Sequence, residues 1–205
     1  MKKDSAQLLF NTIPIVILCG GKSSRMKEDK VLLPFGNDTT LIEFQYKKYQ
    51  KIFKNVYISS KNHTFNFMYK RSNNIIYDYT SAISSPLIAL KTILEKIETP
   101  KAVIIPVDTP FISSQTLKTL IEESENYDIT VARSKSGTHN LCGVFSKSVL
   151  EDLDKMIDLN IHKIAYLLKQ SNTKEIFFEN EDEFLNMNTP TDYEKALEKI
   201  NFFRQ

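Results

Sequence analysis

Gly20, Gly21, Arg25 and Lys30 follow one another closely after an apolar run that starts at Ile13, and Asp108 ends a second apolar run much further along the chain. Paired glycines let a backbone turn sharply and aim its N–H groups at an anion. Arg25 offers a planar fork of donors and Lys30 a compact, mobile charge, the two kinds of cation that best neutralise phosphate oxygens. A carboxylate such as Asp108, delivered at the end of a buried strand, suits a hard divalent cation shared with phosphate oxygens. The chemistry these residues could do is to hold and neutralise a triphosphate chain. Nucleotidyl transfer needs that positioning more than it needs a nucleophilic side chain. Each residue also has a plainer reading: short glycine loops with surface cations are common, and Asp108 could simply end a turn or start a helix.

Elements of α/β type must position these groups. Ile13 to Cys19 is almost wholly apolar and rich in β-branched residues, which predicts a strand buried on both faces of a parallel sheet. Thr40 and Glu43 have capping-box spacing, and apolar residues recur at helical intervals from Leu41 to Phe53. Asn55 to Ser60 then reads as a strand, so the glycine loop lies at the carboxyl end of the first strand of a βαβ unit, where such sheets bind ligands. Ile75 to Asp78 is a short strand ending in a carboxylate, Ser81 to Ser85 a loop, and Pro86 the opening of a helix reaching about Glu98. Lys101 to Val107 is another buried strand, and Ser113 or Ser114 caps a helix to about Ser124. A strand over Asp128 to Ala132 leads into a polar loop over Arg133 to His139. Ser148 and Glu151 form a second capping box, Ile161 to Leu168 supports a helix, and Glu175 to Phe178 a strand. Thr189 caps a last helix with Pro190 at its first position. His63 to Asn74 shows no readable period. No GxGxxG follows the strand and no Gly-Lys-Ser/Thr closes the loop on a helix, which disfavours simple dinucleotide and P-loop folds. The order of elements predicts a three-layer α/β/α, Rossmann-like domain with a mainly parallel sheet.

Leu18-Cys-Gly-Gly-Lys-Ser-Ser-Arg25-Met26, with Asp29-Lys30 and Leu32-Leu-Pro-Phe35, closely resembles the signature LAGGxSxRMGxDKxLLP. That signature belongs to nucleotidyltransferases and, in this form, to molybdenum cofactor guanylyltransferases, the MobA family. Asp108-Thr-Pro-Phe111 is similar to the family's metal-binding segment, His139 to Gly143 to its His-Pro-Leu…Gly segment, and Asn186-Met-Asn188-Thr-Pro190 to its NxNTP element. The resemblance spans almost the whole chain beyond Thr12 and implies a fold of nucleotide-diphospho-sugar transferase type. It implies transfer of GMP from GTP to Mo-molybdopterin with release of pyrophosphate, assisted by Mg²⁺ on Asp108. Nucleotide contacts would come from Leu18, Cys19, Gly20, Gly21 and Lys30, and from Ser59, Asp78 and Asp108. Arg25, Lys30 and Asp108 would carry the catalysis, while His139, Asn186 and Asn188 would face the pterin. Molybdopterin-inserting proteins and recipient molybdoenzymes are the partners the family implies.

The chain departs from the family pattern at Cys19 for Ala, Lys27 for Gly, Ser59 for Asn, Ser84-Ser85 for Gly and Asn140 for Pro. A CTP-using molybdopterin cytidylyltransferase or a sugar-phosphate nucleotidyltransferase would share the glycine loop. A chain that binds a nucleotide or a partner without turnover is the reading of another class. Asp78 could cap neighbouring N–H groups, and His139 could be structural. Capping accounts for Thr189-Pro190, but it does not require both Asn186 and Asn188.

At 205 residues the chain has room for one sizeable α/β domain, predicted over 13–205 after an N-terminal extension over 1–12. The formal charge of +2, from 27 basic and 25 acidic residues, supplies no basic field for nucleic acid. Apolar runs fall short of a membrane span, and Leu8 to Phe10 is too short for a secretory core. Cys19 and Cys142 show no metal or disulfide spacing, which points to a reducing cytoplasm.

Overall fold

The structure is a computed structural model and describes residues 8–20, 29–36, 39–61, 64–79 and 85–202. Its strands are β1 (Ile15–Leu18), β2 (Val56–Ser60), β3 (Ile75–Tyr77), β4 (Lys101–Pro106), β5 (Ile129–Ser134), β6 (Gly137–Ser146) and β7 (Thr173–Phe177). They form one sheet in the order β3-β2-β1-β4-β6-β5-β7. β3, β2, β1 and β4 run parallel to one another, β6 runs antiparallel to both β4 and β5, and β7 is parallel to β5. The mainly parallel sheet expected from the order of elements is therefore present, with one reversed strand.

Alternation along the central strands builds two cores. Ile15, Ile17 and Cys19 of the first strand segment, with Val103, Ile105 and Val107 of the second, pack on one face. That face is covered by α1 (Leu41–Gln50), α3 (Ser114–Glu122) and α6 (Pro190–Phe202). Val16, Leu18, Ala102 and Ile104 pack on the other, under α2 (Pro86–Lys96), α4 (Leu150–Asp158) and α5 (Ile164–Gln170). Strands buried on both faces read as continuous apolar runs for this reason. Residues 8–12 are helical, and Phe10 packs on Phe53 with ring centroids 4.8 Å apart.

The expected caps form at Thr40, which accepts from Glu43 N, at Ser113, which accepts from Thr116 N, and at Thr189, which exchanges hydrogen bonds with Asp192. Two expectations are corrected. Arg133 to His139 is a β-hairpin rather than a loop, because Lys135 and Ser136 make a tight turn, Gly137 at φ +127° starts the return strand, and both flanking segments find ladder partners. Ser148 does not cap the following helix: its hydroxyl donates to Asp128 Oδ1 at 2.5 Å, and Ser146 closes a 3-10 turn over Lys147–Val149 instead. Asn66–Asn74 forms 3-10 turns kinked at Arg71, a structure with no apolar period to read. Among the described residues, no helix is long and apolar enough to cross a membrane.

Candidate active site

Because β1 to β4 are parallel, their carboxyl ends emerge along one edge of the sheet and carry Asp78, Ser59, Cys19-Gly20 and Asp108 in that spatial order. Lys30 arrives from the 3-10 turn Lys30–Leu32, which Asp29 closes by accepting from Val31 N at 3.2 Å. Its ammonium lies 2.6 Å from Asp108 Oδ2 and 3.5 Å from Asn188 Oδ1. The two ionic side chains are only 13% and 15% exposed. Asp108 Oδ1 is buried and has no hydrogen-bond partner among the described residues. Met187 N donates to the Asp108 carbonyl at 3.0 Å, which ties the Asn186–Asn188 segment to the end of β4.

A carboxylate with one oxygen paired and the other buried and open fits one ligand place of a hard divalent cation. The described residues hold no group of three or more His, Cys, Asp or Glu side chains arranged for a metal. A cation that borrows substrate phosphate oxygens and water, as Mg²⁺ does, matches so sparse a donor set.

Toward β3 the site is lined by small and unpartnered groups. Cys19 is buried, and burial, then Asp29 and Asp108, hold its thiol well above the usual range, so it stays protonated and unreactive. A Cβ built on Gly20 would meet nothing within 4 Å, so packing does not require glycine there and the backbone is left open. Ser59 Oγ and Asp78 Oδ1 are both buried without a partner among the described residues. Burial raises the Asp78 carboxyl, opposed by Lys61 and Lys96. Gly21, Arg25, Lys27 and Ser84 lie outside the described residues.

Toward β6 a cleft of about 550 Å³ opens between Leu18, Gly20 and Asp108 on one side and Thr138–Cys142, Lys163 and Asn186 on the other. Its volume is that of a small-molecule site. A bulge makes its far wall: the β5 register passes from Val131 opposite Gly143 to Ala132 opposite His139, and the β4 ladder ends with Ile104 opposite Gly143. Asn140, Leu141 and Cys142, which lie between these pairings, line the cleft, with the Cys142 side chain buried in the core beneath it. A bulge tolerates either proline or a residue with an N–H, which explains how Asn140 stands where the family pattern has Pro. Gly143 is dictated by the same feature, since a Cβ there would fall on Thr130 O and lie 2.8 Å from Val131 Cα.

His139 is held as a wall residue. Its Nε2 is 2.9 Å from Ser134 Oγ, its ring stacks on Phe184 at 4.3 Å, and burial lowers its pKa against the pull of Glu181. Asn186 lines the cleft and Asn188 meets Lys30. Sequence reasoning missed Lys163, an exposed cation at the cleft with no periodic signal. It also missed Gln45 and Lys48 behind Asp108, although two polar residues three apart on the inner side of a helix are a visible anomaly.

Residues 15–174 match the family described as the MobA-like NTP transferase domain. A molybdenum cofactor guanylyltransferase from Campylobacter jejuni subsp. doylei is 38% identical over 193 residues, covering 93% of this chain and 98% of the relative. One from Helicobacter pylori strain G27 is 32% identical over 195 residues, covering 93% and 94%. In shape the chain resembles molybdopterin-guanine dinucleotide biosynthesis protein A from Archaeoglobus fulgidus, with a TM-score of 0.77 over 92% of this chain and 99% of that one. At 20% identity that likeness is one of fold.

Proposed function

The chain belongs to the MobA-like NTP transferase family, and from that premise we propose that it transfers GMP from GTP to Mo-molybdopterin, releasing pyrophosphate. The observation that carries this reading is the Lys30–Asp108 pair at 2.6 Å with Asp108 Oδ1 left open at the mouth of the cleft.

Four parallel strands at about 4.8 Å spacing set roughly 14 Å between the ends of β3 and β4, enough for one nucleotide laid along the edge. The base lies toward Asp78 and Ser59. A carboxylate oxygen without a partner accepts the N1–H and N2–H donors that guanine presents side by side, whereas cytosine presents only its N4 amine. Gly20 N–H and Lys30 meet the phosphates. An ammonium has three N–H donors; one goes to Asp108, a weaker one to Asn188, and the third is available to a phosphate oxygen. Arg25 adds a second cation to the leaving pyrophosphate.

Asp108 would hold Mg²⁺, with its open Oδ1 as the available ligand, and the cation would neutralise charge on the phosphate chain. The terminal phosphate of the acceptor, entering along Asn186 and Lys163, attacks the α-phosphorus as its bond to the oxygen between the α- and β-phosphorus breaks, and pyrophosphate leaves with that oxygen. That phosphate is already anionic, so no general base is required. His139, neutral and fixed by Ser134 and Phe184, shapes the wall of the acceptor cleft.

Calorimetric titration of GTP, CTP, ATP and UTP with Mg²⁺, followed by pyrophosphate release on adding Mo-molybdopterin, tests this. Selective GTP binding and GTP-dependent release are expected. A preference for CTP would replace the guanylyl assignment by a cytidylyl one, and absence of any nucleotide binding would remove the enzymatic reading.

A further inference from the structure

We infer that Gln45 and Lys48 on α1 are positioning residues that hold the Asp108 turn in the geometry that binds the divalent cation; the inference rests on the role proposed above for Asp108.

The inner face of a helix laid on a sheet is normally apolar. The buried positions of α1 are Leu41, Ile42, Gln45, Tyr46 and Tyr49, so Gln45 is the one amide among them, and it is wholly buried. Its Nε2 donates to the carbonyl of Val107, the residue immediately before Asp108. Its Oε1 has no partner among the described residues. One turn on, Lys48 Nζ donates to the carbonyls of Pro110 at 2.9 Å and Ile112 at 2.7 Å. Side chains three apart on a helix share a face, so one surface of α1 takes three carbonyls that bracket Asp108.

Burying an amide and an ammonium is unfavourable unless their hydrogen bonds are made. Lys48 shows the strain of this placement, since burial brings it down to about 8 with only Glu183 opposing. Both groups are directed at one short segment. From the opposite side Met187 N takes the Asp108 carbonyl at 3.0 Å, and Thr109 Oγ1 donates to Pro106 O at 3.0 Å. The backbone carrying Asp108 is thus held before, at and after the carboxylate, with Oδ2 against Lys30 and Oδ1 open. Partners that orient a metal ligand commonly change metal affinity 10–100-fold when removed.

The test compares wild type with Lys48→Met, Gln45→Met and Lys48→Arg, by calorimetric titration of GTP across a series of Mg²⁺ concentrations and by thermal melting. Lys48→Met and Gln45→Met are expected to leave GTP affinity without Mg²⁺ unchanged and to raise the Mg²⁺ concentration for half-maximal enhancement about tenfold. Lys48→Arg, which keeps a cation that can donate to both carbonyls, is expected to restore the wild-type dependence. An unchanged Mg²⁺ dependence in a folded methionine variant, even one that melts earlier, would mean that the contacts only staple the loop and would overturn the inference. Should Lys48→Met fail to fold, Gln45→Met is read in the same way. Wild type that binds GTP without any effect of Mg²⁺ would instead remove the metal role of Asp108 on which the inference rests.

Discussion

The two ends of the sheet treat their carboxylates in opposite ways. On the parallel side, Asp78 and Asp108 each keep a buried oxygen without a partner among the described residues. On the side of β5 to β7, carboxylates are spent on the protein itself. Glu181 accepts from Ser134 Oγ and Ser136 N, Glu175 accepts from Arg133 and Thr138, and Glu183 accepts from Ser113 N and Thr116 Oγ1. A buried acceptor left open is unfavourable for the free protein and becomes favourable when a ligand supplies the donor or cation. A closed network rigidifies but offers nothing to a ligand. The difference separates a face of open acceptors, where we propose that the substrate binds, from a scaffold that shapes the cleft beside it.

The sharpest way to break this comparison is Asp108→Ala. Loss of the open oxygen and of the partner of Lys30 should lower pyrophosphate release by about 10³-fold. A variant within a few-fold of wild type would show that Asp108 is part of the scaffold after all. Asp78→Asn replaces an acceptor with a mixed amide, and a charge-assisted bond worth about 1.5–3 kcal/mol predicts GTP binding about 10–100-fold weaker by calorimetry. If CTP affinity fell equally, the carboxylate would not be reading guanine.

On the scaffold side the effects should appear in stability. Gly143→Ala forces backbone movement between β5 and β6, and overpacking of this kind costs about 1–3 kcal/mol. The melting temperature should drop by several degrees, at about 2–4 °C per kcal/mol for a chain of this size. The smallest effect is expected from His139→Gln. The folded-state pKa of His139 is lowered, so between that value and about 6.5 the unfolded chain binds more protons and stability falls as pH falls. Thermal melts between pH 7 and pH 5 should therefore show a shallower loss for His139→Gln than for wild type, with nucleotide binding at pH 7 unchanged. A change in GTP affinity at pH 7 would move His139 from the scaffold to the binding face.

Much of the fold was legible because its signals are local. The apolar run before Gly20, the one before Asp108, and the caps Thr40, Ser113 and Thr189 are each written within a few residues of where they act. The mainly parallel sheet follows from strands alternating with helices. The hairpin over Arg133 to His139 was misread as a loop because its polar side chains form a network, with Ser134, Ser136 and Glu181, that only exists once the strands pair. Ser148 was misread as a cap because a distant acceptor, Asp128, competes for its hydroxyl.

For the site, residue types and order along the chain were enough to single out Lys30 and Asp108 as groups suited to phosphate and metal chemistry, while Asn188 was singled out by the resemblance, as a residue facing the pterin. That Lys30 meets Asp108 across 78 residues and Asn188 across 158 is a property of the packed sheet edge. So are the bulge that brings Asn140 to the wall of the cleft and the contacts of Gln45 and Lys48 with the Asp108 turn. Short-range preferences determine which segments become strands, helices and caps. Which side chains share a site depends on strand order and register, and these arise from burial of two cores made by residues far apart in the chain.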